Sequence, residues 1–147
     1  MSMPSPKTIR TLALIEDDDD DEFFMRRTLK KAGIGTRLIR LHNGRDAIDY
    51  FARAGRHADP KVSPPADVAF LDINMPGCTG FQVLSWLKDN PSAERPFVAM
   101  LTSSSLPADR KKALELGADC YLEKPPTVTM LQDFARTHSL HWESSAA

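Results

Sequence analysis

Cysteine is scarce in this chain. Cys78 and Cys120 are the only two in 147 residues. They are too few and too far apart for a disulfide framework or a zinc site, so both read as free thiols. No apolar run is long enough to cross a bilayer as a helix. Charge of one sign is not in excess: the formal net charge is -1, which provides no basic field to draw in nucleic acid. The glycine signatures of P-loops and dinucleotide sites are missing. Met1 to Lys7 is polar and rich in proline and serine, unlike a secretory leader, so the cytoplasm is the expected location. His42, His57, His138 and His141 are scattered. The last two have i, i+3 spacing but fall in an expected tail, so they carry no metal reading.

What is present is more pointed. Seven consecutive acidic residues, Glu16 to Glu22, follow the apolar run Leu12-Ala13-Leu14-Ile15. A short apolar run reads as a buried strand, and a strand ending in carboxylates delivers them to the rim of a sheet. Like charges that close repel one another unless a cation sits among them. An EF-hand loop fails as the explanation. Counted from Asp17, its required glycine position is Glu22 and its bidentate glutamate position is Thr28.

The rest of the chain repeats the pattern. Thr11 to Ile15 is the first predicted strand. A helix capped by Asp20 or a neighbour runs to Ala32 and stops at Gly33, with Phe24, Met25, Thr28, Leu29 and Ala32 as its core stripe. Phe23 falls off that stripe, either exposed as a docking contact or packed under a loop. Arg37 to Leu41 is a strand, Arg45 to Arg53 a helix, and Gly55 to Pro65 a loop with three prolines. Val68 to Leu71 is a buried strand ending at Asp72. Gly80 precedes a helix that closes near Asn90-Pro91. Phe97 to Leu101 is a strand ending at Thr102, Ala108 to Leu116 a helix stopped by Gly117, Cys120 to Leu122 a strand ending at Lys124, and Val128 to Arg136 the last helix. This alternation implies an α/β fold, a parallel sheet covered on both faces by right-handed crossovers. Ligands in such folds bind beyond the carboxyl ends of the strands. Glu16, Asp17, Asp72, Thr102 and Lys124 should therefore converge there, while Asp18 to Glu22 mostly start the first helix. The expected layout is an N-terminal extension over 1–9, flexible, one domain over 10–137 and a tail over 138–147.

That set has a chemistry. Asp17 and Asp72 suit a hard cation such as magnesium, which prefers oxygen ligands. Asp72 is then a candidate nucleophile toward phosphorus, with Lys124 offsetting charge on the transferring group and Thr102 donating a hydrogen bond.

The segments Leu14-Ile15-Glu16-Asp17-Asp18, Phe70-Leu71-Asp72-Ile73-Asn74-Met75-Pro76-Gly77, Leu101-Thr102-Ser103-Ser104 and Tyr121-Leu122-Glu123-Lys124-Pro125 resemble the receiver domains of two-component response regulators. The resemblance spans Arg10 to Arg136. It implies a flavodoxin-like (βα)5 three-layer sandwich with strand order 2-1-3-4-5. It also implies a phosphoacceptor at Asp72, served by a sensor histidine kinase. A magnesium site would be built by Glu16, Asp17, Asp72 and the backbone carbonyl of Asn74. Thr102 and Lys124 would contact the phosphoryl group, and Tyr121 would stand at the switch position. The loop Gly55 to Pro65, the Thr102-Ser103-Ser104 strand end and the wording of Gly117 to Tyr121 resemble most the stand-alone regulators of bacterial phytochrome kinases. Two departures stand out. Glu16 replaces a commoner aspartate. Pro126 replaces an apolar residue, which bears on docking. The resemblance implies a phosphoacceptor with only slow autodephosphorylation rather than a turnover enzyme. A homodimer through the helix 4–strand 5–helix 5 face or the tail fits it, and no nucleic-acid or membrane partner and no DNA-binding output are expected. Two other functions compete: a magnesium-dependent aspartyl-phosphate phosphatase, whose usual second aspartate is Asn74 here, and a phosphorylation-independent interaction module, which leaves the acidic, hydroxyl and lysine set unexplained.

Overall fold

The computed structural model describes residues 6–91, 93, 95–103 and 106–145. Ser104, quoted above, lies outside them. Among the described residues, seven strands and five α-helices follow in chain order: β1 Lys7–Ile9, β2 Thr11–Ile15, α1 Asp19–Lys31, β3 Arg37–Leu41, α2 Gly44–Ala52, β4 Val68–Asp72, α3 Gly80–Asp89, β5 Phe97–Thr102, α4 Pro107–Glu115, β6 Cys120–Glu123, α5 Val128–Thr137 and β7 Leu140–Trp142. The main sheet has the order β3-β2-β4-β5-β6, and every pairing is parallel. Counting from β2 as the first strand, this is the 2-1-3-4-5 order expected of a flavodoxin-like sandwich.

The central strands β2, β4 and β5 are buried on both faces, as a covered parallel sheet requires. Alternate residues then feed two cores. Ala13, Ile15, Ala69, Leu71, Val98 and Met100 face α2, α3 and α4. Leu12, Leu14, Val68, Phe70, Ala99 and Leu101 face α1 and α5. In the second core the Phe70 ring meets Phe134 edge-on at 5.4 Å and Trp142 at 6.2 Å. Trp142 also donates its indole N–H to the Leu131 carbonyl at 2.8 Å, which satisfies the polar end of a buried ring.

Trp142 belongs to a segment that differs from the sequence reading. The expected flexible extension over 1–9 and tail over 138–147 instead contribute β1 and β7. These pair in parallel, Lys7 with Leu140, Thr8 with His141 and Ile9 with Trp142. Ile9 and Trp142 are buried in the second core, and that burial holds the two short strands together. A second difference lies on α1. Met25 and Leu29 are its buried residues, while Phe24 is 51% and Phe23 61% exposed. Phe24 lies one position outside the stripe that α1 turns to the sheet, where Phe23 meets it edge-on at 5.7 Å. The cap of α1 is Asp18, whose carboxylate accepts from the N–H groups of Asp20 and Asp21 at 2.7 and 3.2 Å.

The loop between α2 and β4 is ordered by a buried polar cluster. His57 is 1% exposed and bridges two elements: one ring nitrogen lies 2.8 Å from Ser63 Oγ, the other 2.8 Å from Asp46 Oδ1. Arg56 caps Asp46 from outside, and the Tyr50 hydroxyl donates to the Pro64 carbonyl. Histidine spacing gave no hint of this role, because the partners are set by how the loop folds back on α2.

Candidate functional site: an acidic pocket at the carboxyl edge

The carboxyl ends of β2, β4, β5 and β6 share one edge. β2 hands over to Glu16 and Asp17, and the Glu16 N–H donates to the Leu41 carbonyl at 3.0 Å, so the acidic run leaves the sheet still tied to β3. β4 ends on Asp72 itself. Beyond it, Gly77 turns the chain with φ +78 and Thr79 caps α3 in a reciprocal box with Gln82. Gly80 then passes so close that a Cβ there would overlap the Asp72 carbonyl oxygen. Its N–H donates to the Ile73 carbonyl at 3.1 Å. The start of α3 is thus seated directly on the backbone that carries Asp72.

Glu16, Asp17 and Asp72 each bring a carboxylate oxygen within 4.8 Å of the others. Glu16 and Asp72 are buried, and Asp17 is exposed. Lys124 enters from the end of β6, next to a cis peptide bond to Pro125. Its Nζ lies 2.7 Å from Glu16 Oε2, 2.7 Å from Asp21 Oδ2 and 3.3 Å from Asp72 Oδ2. The other oxygens of Glu16 and Asp72 are also engaged: Asp18 N–H donates to Glu16 Oε1 at 3.3 Å, and Asn74 N–H to Asp72 Oδ1 at 3.2 Å. Thr102 is fully buried at the end of β5, and its carbonyl accepts from the Lys124 N–H at 2.8 Å. Tyr121 is half-buried on β6 opposite Met100, with the Arg110 guanidinium 6.0 Å from its ring centre.

One ammonium does not neutralise four carboxylates. Burial pushes the Glu16 carboxyl up to about 8; the Lys124 hydrogen bond opposes that rise and the charge of Asp72 adds to it. Burial works against the charge on Lys124, yet hydrogen bonds to Asp21 and Glu16 and the field of Asp72 outweigh it, so its pKa lies above the ordinary range. Burial likewise opposes ionisation of Asp21, but the bonds with Lys124 and Glu16 hold its carboxyl below the ordinary value.

Two site residues escaped the sequence reading. Asp21 starts the helix as expected, and it is also a Lys124 partner. It lies in the first turn of α1, directly after the strand end that carries Glu16 and Asp17, which is the signal that marks it. Arg40 on β3 was read only as a strand residue. Its side chain is 6% exposed; Nε donates to the Glu16 carbonyl at 2.9 Å and Nη1 to Glu22 Oε1 at 2.8 Å and to Asp19. Nη2 is buried with no hydrogen-bond partner among the described residues. The acidic run is therefore divided among a cap, an arginine clamp, a lysine contact and an oxygen-rich cluster.

The sequence profile described as "Response regulator receiver domain" matches residues 12–136. The chain belongs to this family. Among curated relatives of the receiver, response regulator Rcp1 of Synechocystis is 32% identical over 115 residues, covering 78% of this chain and 76% of Rcp1. Some other relatives are far longer. The match to a Vibrio cholerae protein named "Probable cyclic di-GMP phosphodiesterase" is 38% identical over 88 residues and spans 20% of that protein. Solved structures similar to the receiver include manganese-bound Rcp1, with 30% identity, TM-score 0.69 and coverage of 88% of this chain and 89% of the other. The bacteriophytochrome response regulator AtBRR has 25% identity, TM-score 0.77 and coverage of 91% and 95%. Response regulator RPA3017, in red light signaling of R. palustris, has 25% identity, TM-score 0.78 and coverage of 93% and 96%. No helix among the described residues is long and apolar enough to cross a membrane.

Proposed function

We propose that this receiver accepts a phosphoryl group on Asp72 from the phosphohistidine of a sensor kinase and changes its partner interactions in response. The observation that carries the reading is the convergence on Asp72 of a buried carboxylate, an exposed carboxylate and Lys124 from three strand ends. In the transfer, an Asp72 carboxylate oxygen forms the new O–P bond. The N–P bond of the phosphohistidine breaks, and its electron pair returns to the imidazole nitrogen.

The donor set fits a hard divalent cation: three carboxylates, all oxygen, in a pocket whose own ammonium leaves negative charge uncompensated. Glu16, Asp17, Asp72 and the Asn74 carbonyl would hold magnesium, which when bound offsets negative charge around the acceptor. Lys124 lies 3.3 Å from Asp72 Oδ2 and is placed to take a phosphoryl oxygen. Thr102, on the same strand edge, supplies the hydroxyl. The net charge gained by a carboxylate on phosphorylation is about one unit, less than a phosphorylated hydroxyl gains. The signal therefore travels by geometry. Closure of Thr102 and Lys124 on the phosphoryl group alters the space beside Tyr121, and with it the face formed by α4, β6 and α5. A groove of about 490 Å³ lies on that face, with Tyr121, Leu122, Met130 and Phe134 in its lining, and is the surface offered to a partner or a second copy.

The likeness to Rcp1 and to bacteriophytochrome response regulators supports a phytochrome-type kinase as the phosphodonor. Asn74, at the place of a second catalytic aspartate, argues against the phosphatase alternative. Phosphotransfer profiling against the histidine kinases of the host tests the reading. One kinase should label the wild-type chain preferentially and leave Asp72→Asn unlabelled. Labelling of Asp72→Asn at the wild-type rate would sink it.

A further inference from the structure

Lys124 has an anionic partner for each of its donors. Its two shortest contacts, 2.7 Å each, run to Glu16 and Asp21, and only the longer one, 3.3 Å, runs to Asp72. An ammonium has three N–H donors; two bond Glu16 and Asp21, and the third faces Asp72 as a longer ion pair. A phosphoryl group on Asp72 brings further acceptor oxygens, and Lys124 turns a second donor to them only by leaving Glu16 or Asp21. The partners are not equally easy to leave. The Glu16 side chain is 1% exposed, so water cannot replace the donor it would lose. Asp72 carries the phosphoryl group itself. The Asp21 side chain is 39% exposed in the first turn of α1, where water can replace the ammonium and the helix dipole still favours a negative charge.

We propose that Asp21 is the residue Lys124 releases on activation, a positioning residue that holds the lysine back and so sets how tightly the acceptor site grips a phosphoryl group. This rests on the reading of Asp72 as the acceptor. The two residues stand 103 positions apart, and their contact joins the start of α1 to the end of β6. Release of Asp21 therefore also loosens a tie between two elements that flank the acceptor. The same contact closes one wall of a small cavity of about 30 Å³ lined by Glu16, Asp21, Phe24, Lys124, Pro125 and Pro126 among others.

The test uses beryllofluoride, a non-covalent mimic of the phosphoryl group, titrated at saturating magnesium so that metal affinity does not enter. Asp21→Asn should bind it about five-fold tighter than wild type, the size expected for removing one partly exposed ion pair. Asp21→Glu should restore the wild-type affinity. Asp20→Asn removes a charge from the same helical turn without touching Lys124 and should leave affinity unchanged. Equal or weaker binding by Asp21→Asn overturns the inference. So does equal tightening by Asp20→Asn, which would mark a general field effect. If wild type fails to bind, or if Asp72→Asn binds as well as wild type, the acceptor reading itself fails.

Discussion

Replacing Glu16 by glutamine isolates the electrostatic cost of the pocket. Glu16 is 1% exposed, and burial pushes its carboxyl from an ordinary 4.5 up to about 8. Between those values the folded chain keeps a proton that the unfolded chain has lost. Stability must therefore fall as pH rises through the window from 4.5 to about 8. At ~1.4 kcal/mol per pKa unit, the full loss is about 5 kcal/mol, of which roughly 3 to 4 kcal/mol falls between about pH 5 and 8. The carboxylates held low, Asp19, Asp21, Glu22 and Asp46, act in the opposite sense. Their contribution is present above their ordinary values and is lost only in acid below about pH 4, outside this window. Glu16→Gln cannot ionise and still offers Lys124 an acceptor oxygen. Urea unfolding of the metal-free protein, run in steps from pH 5 to 8, should show wild-type stability falling relative to E16Q by that amount. Saturating magnesium should flatten the wild-type slope, since a bound cation favours the deprotonated carboxylate. Parallel curves for the two proteins across the whole range would refute the reasoning.

Two further perturbations probe the supports of the site. Arg40→Met removes the fork that ties β3 to the acidic run through the Glu16 carbonyl and Glu22. It should cost about 2 kcal/mol by denaturant unfolding and weaken magnesium binding, while Arg40→Lys, which keeps the charge but not the fork, should recover only part. His57→Ala breaks the bridge between Asp46 and Ser63 and opens a void under the α2–β4 loop. It should lower stability by about 2 to 4 kcal/mol and leave beryllofluoride affinity within two-fold, read by the same titration.

The parts legible in the sequence are those written in local pattern. The runs Thr11–Ile15 and Val68–Asp72 are apolar and short, and they became central strands within a residue of their expected ends. Carboxylates directly after such runs are carried to the sheet edge by the backbone alone, so the pattern by itself groups Glu16, Asp17 and Asp72. What stayed hidden depends on distant partners. Asp21 looks like any acidic first-turn residue until Lys124, 103 positions away, folds onto it. Arg40 alternates like a strand residue, and nothing local says that its guanidinium turns back along the rim. β1 and β7 have three residues each and no propensity to stand alone; burial of Ile9 and Trp142 makes them strands. Phe24 was misplaced because a helical stripe drawn from sequence can be too wide by one position, and only the sheet decides which residue is left outside.

The central claim is that Asp72 receives the phosphoryl group. Its most direct test is chemical trapping after incubation with a phosphorylated cognate kinase: borohydride reduction of the acyl phosphate, then peptide mapping. The account predicts reduction at position 72 in the wild-type chain, dependent on magnesium and lost in Asp72→Asn. Trapped label at another carboxylate, or undiminished labelling of Asp72→Asn, would contradict it.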